Sequence, residues 1–273
     1  MGFEVQPKSY RMKNTLLTIT AAALLATAGN LQAVEGNSSP YTDAAGDIDP
    51  GIANAGGTLD ILGMEVTNNA TDITFTLSLN GNISTTDWGN FMIGISTGST
   101  AITNTGNGWV RPIQLNSPVG GMDYWIGSWV NTSTSSNTNT GIVTTNFGGA
   151  QLWTYGTNWS GPATLAGYSF AAGATSSITY TATLASLGLA VNDTFYFDAY
   201  SSGGGGTDSA VDALANPNVS ITAWNQTYTS STTGSGGPGL NSYQVVPEPS
   251  TVALLALSAL GVAGYAARRR ARK

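Results

Sequence analysis

Two groups of carboxylates are the residues in this chain whose spacing suggests chemistry. The first lies in YTDAAGDIDPG, with Asp43, Asp47 and Asp49, followed by Asp60 in GTLDI. The second lies in GGGGTDSAVDAL, with Asp208 and Asp212. Carboxylates this close repel one another unless a cation or water intervenes. Calcium takes about six to eight oxygen ligands, carboxylate and carbonyl alike. Asp47-Ile48-Asp49 does not open an EF-hand, because Gly51 comes one position early and the loop's last position holds Thr58 instead of Glu. Two readings stand: a calcium site drawn from Asp43, Asp47, Asp60, Asp208 and Asp212, or ordinary turn chemistry, since Asp beside Gly and Pro is what loops use.

The second feature is aromatic. Trp109, Tyr124, Trp125, Trp129, Trp153, Tyr155 and Trp159 are concentrated in one part of the chain, several in polar, Gly-rich sequence. An exposed ring stacks on the C–H face of a sugar while amides bond its hydroxyls. A buried ring fills a core instead, and alternate members of YWIGSW must point inward in any half-buried strand. Trp153 and Trp159, in LWTYGTNWSG, have no period-2 apolar neighbours and are the exposed candidates for sugar contact.

What is missing narrows the chemistry further. The chain has no Cys and no His. A Ser-His-Asp triad, a thiolate nucleophile and the usual zinc sites are thereby excluded. Of the nine Lys and Arg, only Arg111 lies between Val34 and Val246, a stretch that holds thirteen of the fifteen acids. Such a surface repels nucleic acid and anionic membrane, so nucleic-acid binding is set aside. Arg111 is expected to pair with one of those acids rather than to clamp a substrate carboxylate.

The elements that must position these groups read as β throughout. TDITFTLSLNG alternates Ile73, Phe75, Leu77 and Leu79 with Thr and Ser, the pattern of a half-buried antiparallel strand, and closes at Asn80-Gly81. NFMIGIST, SITYTATL and DTFYFDAYS repeat it, while TLDILGMEV, DYWIGSWV and ITAWNQTYT are weaker versions. Leu184–Leu189 and Ser209–Ala215 are each expected to make a turn or two of helix. Many short strands over about 200 residues predict an all-β fold, one antiparallel, jelly-roll-like sandwich at 34–229. SSTTGSGGPGL reads as linker, within a 230–246 segment whose NSYQVV end suits a short edge strand.

Both ends of the chain look like addresses. The segment 1–33 reads as a signal peptide: Lys8, Arg11 and Lys13, then an apolar stretch from Leu16 to Ala28, then a small residue at Ala33, after which signal peptidase is expected to cut. Met12 makes the more ordinary start. At the other end Pro247, Glu248 and Pro249 form a stiff, extended segment. An uncharged apolar run at 250–267 follows, about long enough to cross a hydrocarbon core as a membrane helix. Arg268, Arg269, Arg270, Arg272 and Lys273 complete the tail over 247–273 and are expected to stay cytoplasmic.

Val-Pro-Glu-Pro-Ser, apolar helix and Arg-rich end, in that order, resemble the PEP-CTERM sorting signal of exported proteins of Gram-negative bacteria. The resemblance implies recognition by a membrane-embedded exosortase, removal of the tail, and delivery to the cell surface or extracellular matrix. The body carries a fainter likeness. Asp43, Gly46 and Asp47, Leu-Asp-Ile at Asp60, and Asp208 with Asp212 resemble family 9 carbohydrate-binding modules and their DOMON-like relatives. Such modules are β-sandwiches that often hold calcium, so the resemblance implies metal and loop roles for the acids and sugar stacking for the aromatics.

Three functions follow as expectations. The first is a non-catalytic, glycan-binding sandwich that meets extracellular polysaccharide, with Ca2+ as its one implied cofactor. The second is a purely structural surface or matrix protein. The third, a carboxylate-based glycosidase, needs only two carboxylates at a fixed separation, but no paired, apolar-buried Glu supports it, and no enzyme is expected.

Overall fold

The computed structural model of the chain describes residues 41–49, 57–83, 89–129, 150–231, 240–247 and 251–271. The expected signal peptide over 1–33, the Asn/Thr/Ser-rich stretch Asn131–Thr140, and Glu248 and Pro249 lie outside these residues. Contacts divide the chain into two units, and the larger, Gly36–Pro247, is the body.

Alternation of apolar and hydroxyl residues builds the first sheet of the body. It holds five strands in the order β1-β2-β3-β10-β9: β1 (Tyr41–Thr42), β2 (Ile61–Asn68), β3 (Asp72–Leu79), β10 (Ser176–Thr183) and β9 (Gly167–Ala171). Pairing of β3 with β10 sets Phe75 against Tyr180 and Leu77 against Ile178 on the inner face. The same register brings Thr74 to Thr181 and Thr76 to Thr179 on the outer face, with hydroxyls 3.2 and 3.4 Å apart. A slip of one residue would exchange the two faces, which is what fixes the register.

The second sheet runs β12-β11-β4-β6-β7-β8, with β14 also paired to β11. Its strands are β4 (Asn90–Ser96), β6 (Tyr124–Trp129), β7 (Gln151–Tyr155), β8 (Trp159–Thr164), β11 (Thr194–Ser202), β12 (Ala210–Ala213) and β14 (Asn241–Gln244). β12 and β14 divide one side of the long strand β11, the former at Tyr200–Ser202 and the latter at Thr194–Phe197. Between the sheets lies the main core, with Phe75, Phe91, Phe195 and Phe197 fully buried. The architecture is the expected antiparallel sandwich.

The outer face of the second sheet departs from expectation. Period-2 reading of NFMIGIST puts Met92, Gly94 and Ser96 in solvent, yet every residue of β4 is buried. A second apolar cluster covers that face: Met92, Trp125 and Tyr200 from the sheet meet Ile113, Leu115, Met122, Val219 and Tyr228. Three of these come from β5 (Ile113–Asn116) and β13 (Tyr228–Ser231), a parallel pair standing apart from the two sheets. The sandwich therefore has a third layer on one side. The segment Ser209–Ala215, expected as helix, instead supplies β12. Its Ala210, Asp212 and Ala213 pair with β11, and tertiary pairing overrides a weak helical preference. The turn expected at Leu184–Leu189 is a 3-10 turn over Ala185–Leu187.

β11 also carries a buried carboxyl. Asp198 is fully buried and accepts the Ala199 and Ala215 N–H groups at 2.8 and 2.9 Å and the Ser230 hydroxyl at 2.5 Å. Burial pushes its pKa up to about 7, the hydrogen bonds opposing. A carboxyl whose folded pKa lies above its unfolded value binds its proton more tightly in the native state. It therefore contributes stability that is full below about pH 4 and is lost as pH rises toward 7. Asp198→Asn, neutral and nearly isosteric, is expected to flatten that part of the slope by a few kcal/mol, read from urea unfolding at pH 4, 5.5 and 7.5.

The tail from Glu248 onward lies outside the body's unit, and in it residues Thr251–Arg270 form helix α1 with Arg268, Arg269 and Arg270 in its last turn. Ala and Leu favour helix, and cations at a C-terminus complement the helix dipole. Among the described residues no helix is long and apolar enough to cross a membrane. The expected membrane helix over 250–267 extends onto residues outside the description.

Candidate metal centre and sorting signal

Three non-adjacent segments converge at one end of the sandwich. β1 pairs with β2 through Thr42 and Gly63, where φ is +150° and a side chain would strike Tyr41 O at 2.4 Å. That close approach lets Asp43 follow directly, its N–H donating to Leu62 O at 3.0 Å. The loop then runs through Asp47 to Asp49, whose N–H donates to Val211 O at 2.9 Å, and Val211 precedes Asp212 in β12. Asp212 Oδ2 accepts the Ile61 N–H at 2.6 Å, tying β12 to the start of β2.

The result is a carboxylate cluster. One oxygen each from Asp43, Asp47 and Asp212 lies within 4.8 Å of the others. Asp60 stands close enough for its charge to act on Asp47 and Asp212. It is itself held by the Gly46 N–H at 2.7 Å and the Asn80 amide at 2.9 Å, both on Oδ2. Among the described residues, Asp43 Oδ2, both Asp47 oxygens and Asp60 Oδ1 are shielded from solvent and accept no hydrogen bond. Buried acceptors left unmatched are costly, and such groups call for a water or an ion. The donor set, hard carboxylate oxygens without His or Cys, suits calcium.

Electrostatics point the same way. Burial pushes Asp43 up to about 8, with Asp212 and Asp47 adding to the shift. Asp212 is raised to about 7, chiefly by burial and then by Asp47 and Asp60. Asp47 is raised as well, by burial first and then by the charge of Asp60. A divalent ion in their midst reverses that logic by favouring the charged form.

Asp208, expected in the same site, is elsewhere. Its Oδ2 accepts the Gly205 N–H at 2.8 Å and closes the Gly-rich turn 203–208, which is the turn chemistry that its Gly neighbours favour. Beside it lies Arg111, buried, with Nη1 donating to Ser202 Oγ at 2.8 Å, Asp208 O at 3.1 Å and Gly203 O at 3.3 Å. The direct partners are thus a hydroxyl and two carbonyls, and the Asp208 carboxylate acts on it through its field. Burial lowers Arg111 to about 10, with Asp208 opposing.

Trp153 and Trp159 are half-buried and pack against the second cluster. Trp153 Nε1 donates to Gln151 Oε1 at 3.0 Å, an acceptor shared with Trp109 Nε1 at 2.7 Å. Trp159 Nε1 donates to Thr105 O at 2.8 Å, and its ring meets Tyr155 edge-on at 5.5 Å. The expectation of freely exposed rings is corrected: residues of β7, the loop carbonyl of Thr105 and the second apolar cluster, which no local pattern announces, half-bury them. One polar anchor was missed altogether. Asp123, fully buried, accepts the N–H groups of Thr97, Gly98, Ser99 and Thr100 at 2.8–3.3 Å and pins the turn after β4. Asp in Gly-Gly-Met-Asp reads as loop, and nothing local marks it as a hub.

Beyond β14 the chain enters the tail. Residues 245–270 match the PEP-CTERM protein-sorting motif. This PEP-CTERM tail makes the chain an exosortase-sorted protein, exported to the cell surface or extracellular space. Pro247, the first proline of the motif, follows the last residues of the sandwich directly. No curated protein matches the chain.

Proposed function

We propose that the exported body is a non-catalytic, calcium-stabilised sandwich of the cell surface or extracellular matrix, cut from its C-terminal tail after export. The convergence of Asp43, Asp47 and Asp212, with unmatched oxygens beside Asp60, carries this reading. Calcium there joins the start of the mature chain to β12 and so locks the N-terminal edge onto the sandwich. The resemblance to family 9 carbohydrate-binding modules agrees with a site of this kind. In the precursor the apolar run at 250–267 serves as a temporary membrane helix. Isothermal titration of calcium into the exported body tests the proposal: one site per chain supports it, and no heat and no binding overturns it.

Contact with extracellular polysaccharide is a second reading, favoured by one observation. Trp153, Tyr155 and Trp159 lie half-exposed and side by side on β7 and β8, the last two strands at one border of the second sheet. Because Trp159 is anchored through Nε1, its ring is held in one orientation, which suits stacking. Trp159→Ala is expected to weaken retention on a polysaccharide affinity gel at least about tenfold, equivalent to about 1.4 kcal/mol. Unchanged retention with a lowered melting temperature makes the ring a packing element and leaves the structural matrix role.

A further inference from the structure

The sorting motif is not separated from the folded body by a spacer. Its matched span begins at Val245, which is fully buried in the main core. Val245 donates its N–H to Asp193 O at 2.9 Å and accepts the Asn192 N–H at 2.8 Å. Just before it, β14 is paired to β11 from Asn241 to Gln244, and Tyr243 packs on Phe195 with ring centroids 5.7 Å apart.

Val246 is held in another way. Its N–H donates to Asn68 Oδ1 at 3.0 Å, and Asn68 Nδ2 donates to Val246 O at 2.9 Å. One side-chain amide at the end of β2 thus gives Val246 the donor and acceptor that a neighbouring strand would provide. The same Oδ1 takes the Tyr243 hydroxyl at 2.8 Å, and Nδ2 also reaches Asn69 O at 3.0 Å. At the next position Pro247 has no N–H to continue any ladder. Among the described residues, the backbone hydrogen bonds between the body and this segment end at Val246, just before the first proline of the motif.

We propose that Asn68 is a positioning residue for processing of the sorting signal: it keeps residues 240–246 seated in the sandwich and confines cleavage to bonds C-terminal to Val246. The proposal rests on the reading that the tail is removed. An enzyme that cuts a peptide bond draws the chain into its cleft in extended form and pairs with the backbone on both sides of the bond. The backbone groups of Val245 and Val246 are already engaged, and releasing them requires local opening of β14, with exposure of Val245 and Tyr243. In the scission itself the acyl carbon of the body passes to water or another nucleophile, and the released amine takes up a proton and departs with the tail. Asn68 touches none of these atoms. It sets how much chain lies within reach of them.

The test uses the full chain exported from its own host, with the C-terminus of the surface protein read by intact and peptide mass spectrometry. Wild type is expected to give ends at Val246 or beyond. Asn68→Ala is expected to add species ending between Leu240 and Val245. A short Gly-Ser insertion between Val246 and Pro247 separates positioning from stability. With the motif moved away from the clamp, Asn68→Ala is expected to leave the C-terminus where the insertion alone puts it. The proposal is overturned if wild type ends before Val246, if Asn68→Ala changes nothing, or if its shortened species persist with the insertion, since simple destabilisation of the body would produce them in both backgrounds. Retention of the helix 251–270 on the exported wild-type protein overturns the removal reading itself, and that outcome is distinct from a misplaced end.

Discussion

Millimolar calcium is expected to raise the melting temperature of the exported body, and a chelator to lower it. An ion that binds only the native state stabilises by about 2.7 kcal/mol at a hundredfold excess over Kd, which is roughly 5–10 °C for a domain of this size. Magnesium does less, because it requires stricter octahedral geometry and holds its water. Binding must displace protons, since Asp43 sits at about 8 and Asp212 at about 7 without the ion. The calcium response therefore grows from pH 5.5 to pH 8, and proton release accompanies binding. Asp47→Asn separates site from scaffold. Its carboxylate oxygens accept no hydrogen bond, so the calcium-free melting point holds or rises as repulsion is relieved, while the calcium shift falls. Differential scanning calorimetry with and without chelator measures both, and an unchanged melting point at millimolar calcium returns these residues to turn chemistry.

Asp123→Ala is expected to be among the most damaging single changes in the body. Removing the carboxylate strands four backbone N–H groups of the turn 97–100 at once. Hydrogen bonds to a charged group contribute about 1.5–3 kcal/mol each, and water reaching the exposed Gly98 and Ser99 offsets part of the loss, which leaves about 3–5 kcal/mol. Asp123→Asn keeps one oxygen acceptor and falls between. Urea unfolding with an unchanged m-value is the measurement, because a changed slope signals an altered unfolded state instead. A loss below about 1 kcal/mol shows that the turn holds itself.

The strands of the main core were legible because burial on one face writes itself as period-2 alternation, as in Ile73, Phe75, Leu77 and Leu79. The third layer was not legible. Met92 and Tyr200 read as outward residues, and the return of Ile113, Leu115, Met122, Val219 and Tyr228 from other parts of the chain buries them. The same limit governs the site. Asp43, Asp47 and Asp212 are acids in Gly-rich sequence, and so is Asp208, yet strand pairing brings three together and leaves the fourth to close its own turn. Local spacing shows which residues have the right oxygen atoms, and long-range register decides which of them meet. The tail is the reverse case: its signal is linear, so sequence alone carries it.

Among the described residues β8 borders the second sheet with no further partner strand, and an unpaired border of that kind invites a strand from another molecule. Its sequence, WSGPAT, places Pro162 there without an N–H to offer, and its register with β7 shifts between Leu152 and Thr154. An incoming strand therefore meets an interrupted ladder. For a protein exported to a cell surface or beyond it, a border of this kind discourages sheet-to-sheet pairing between copies.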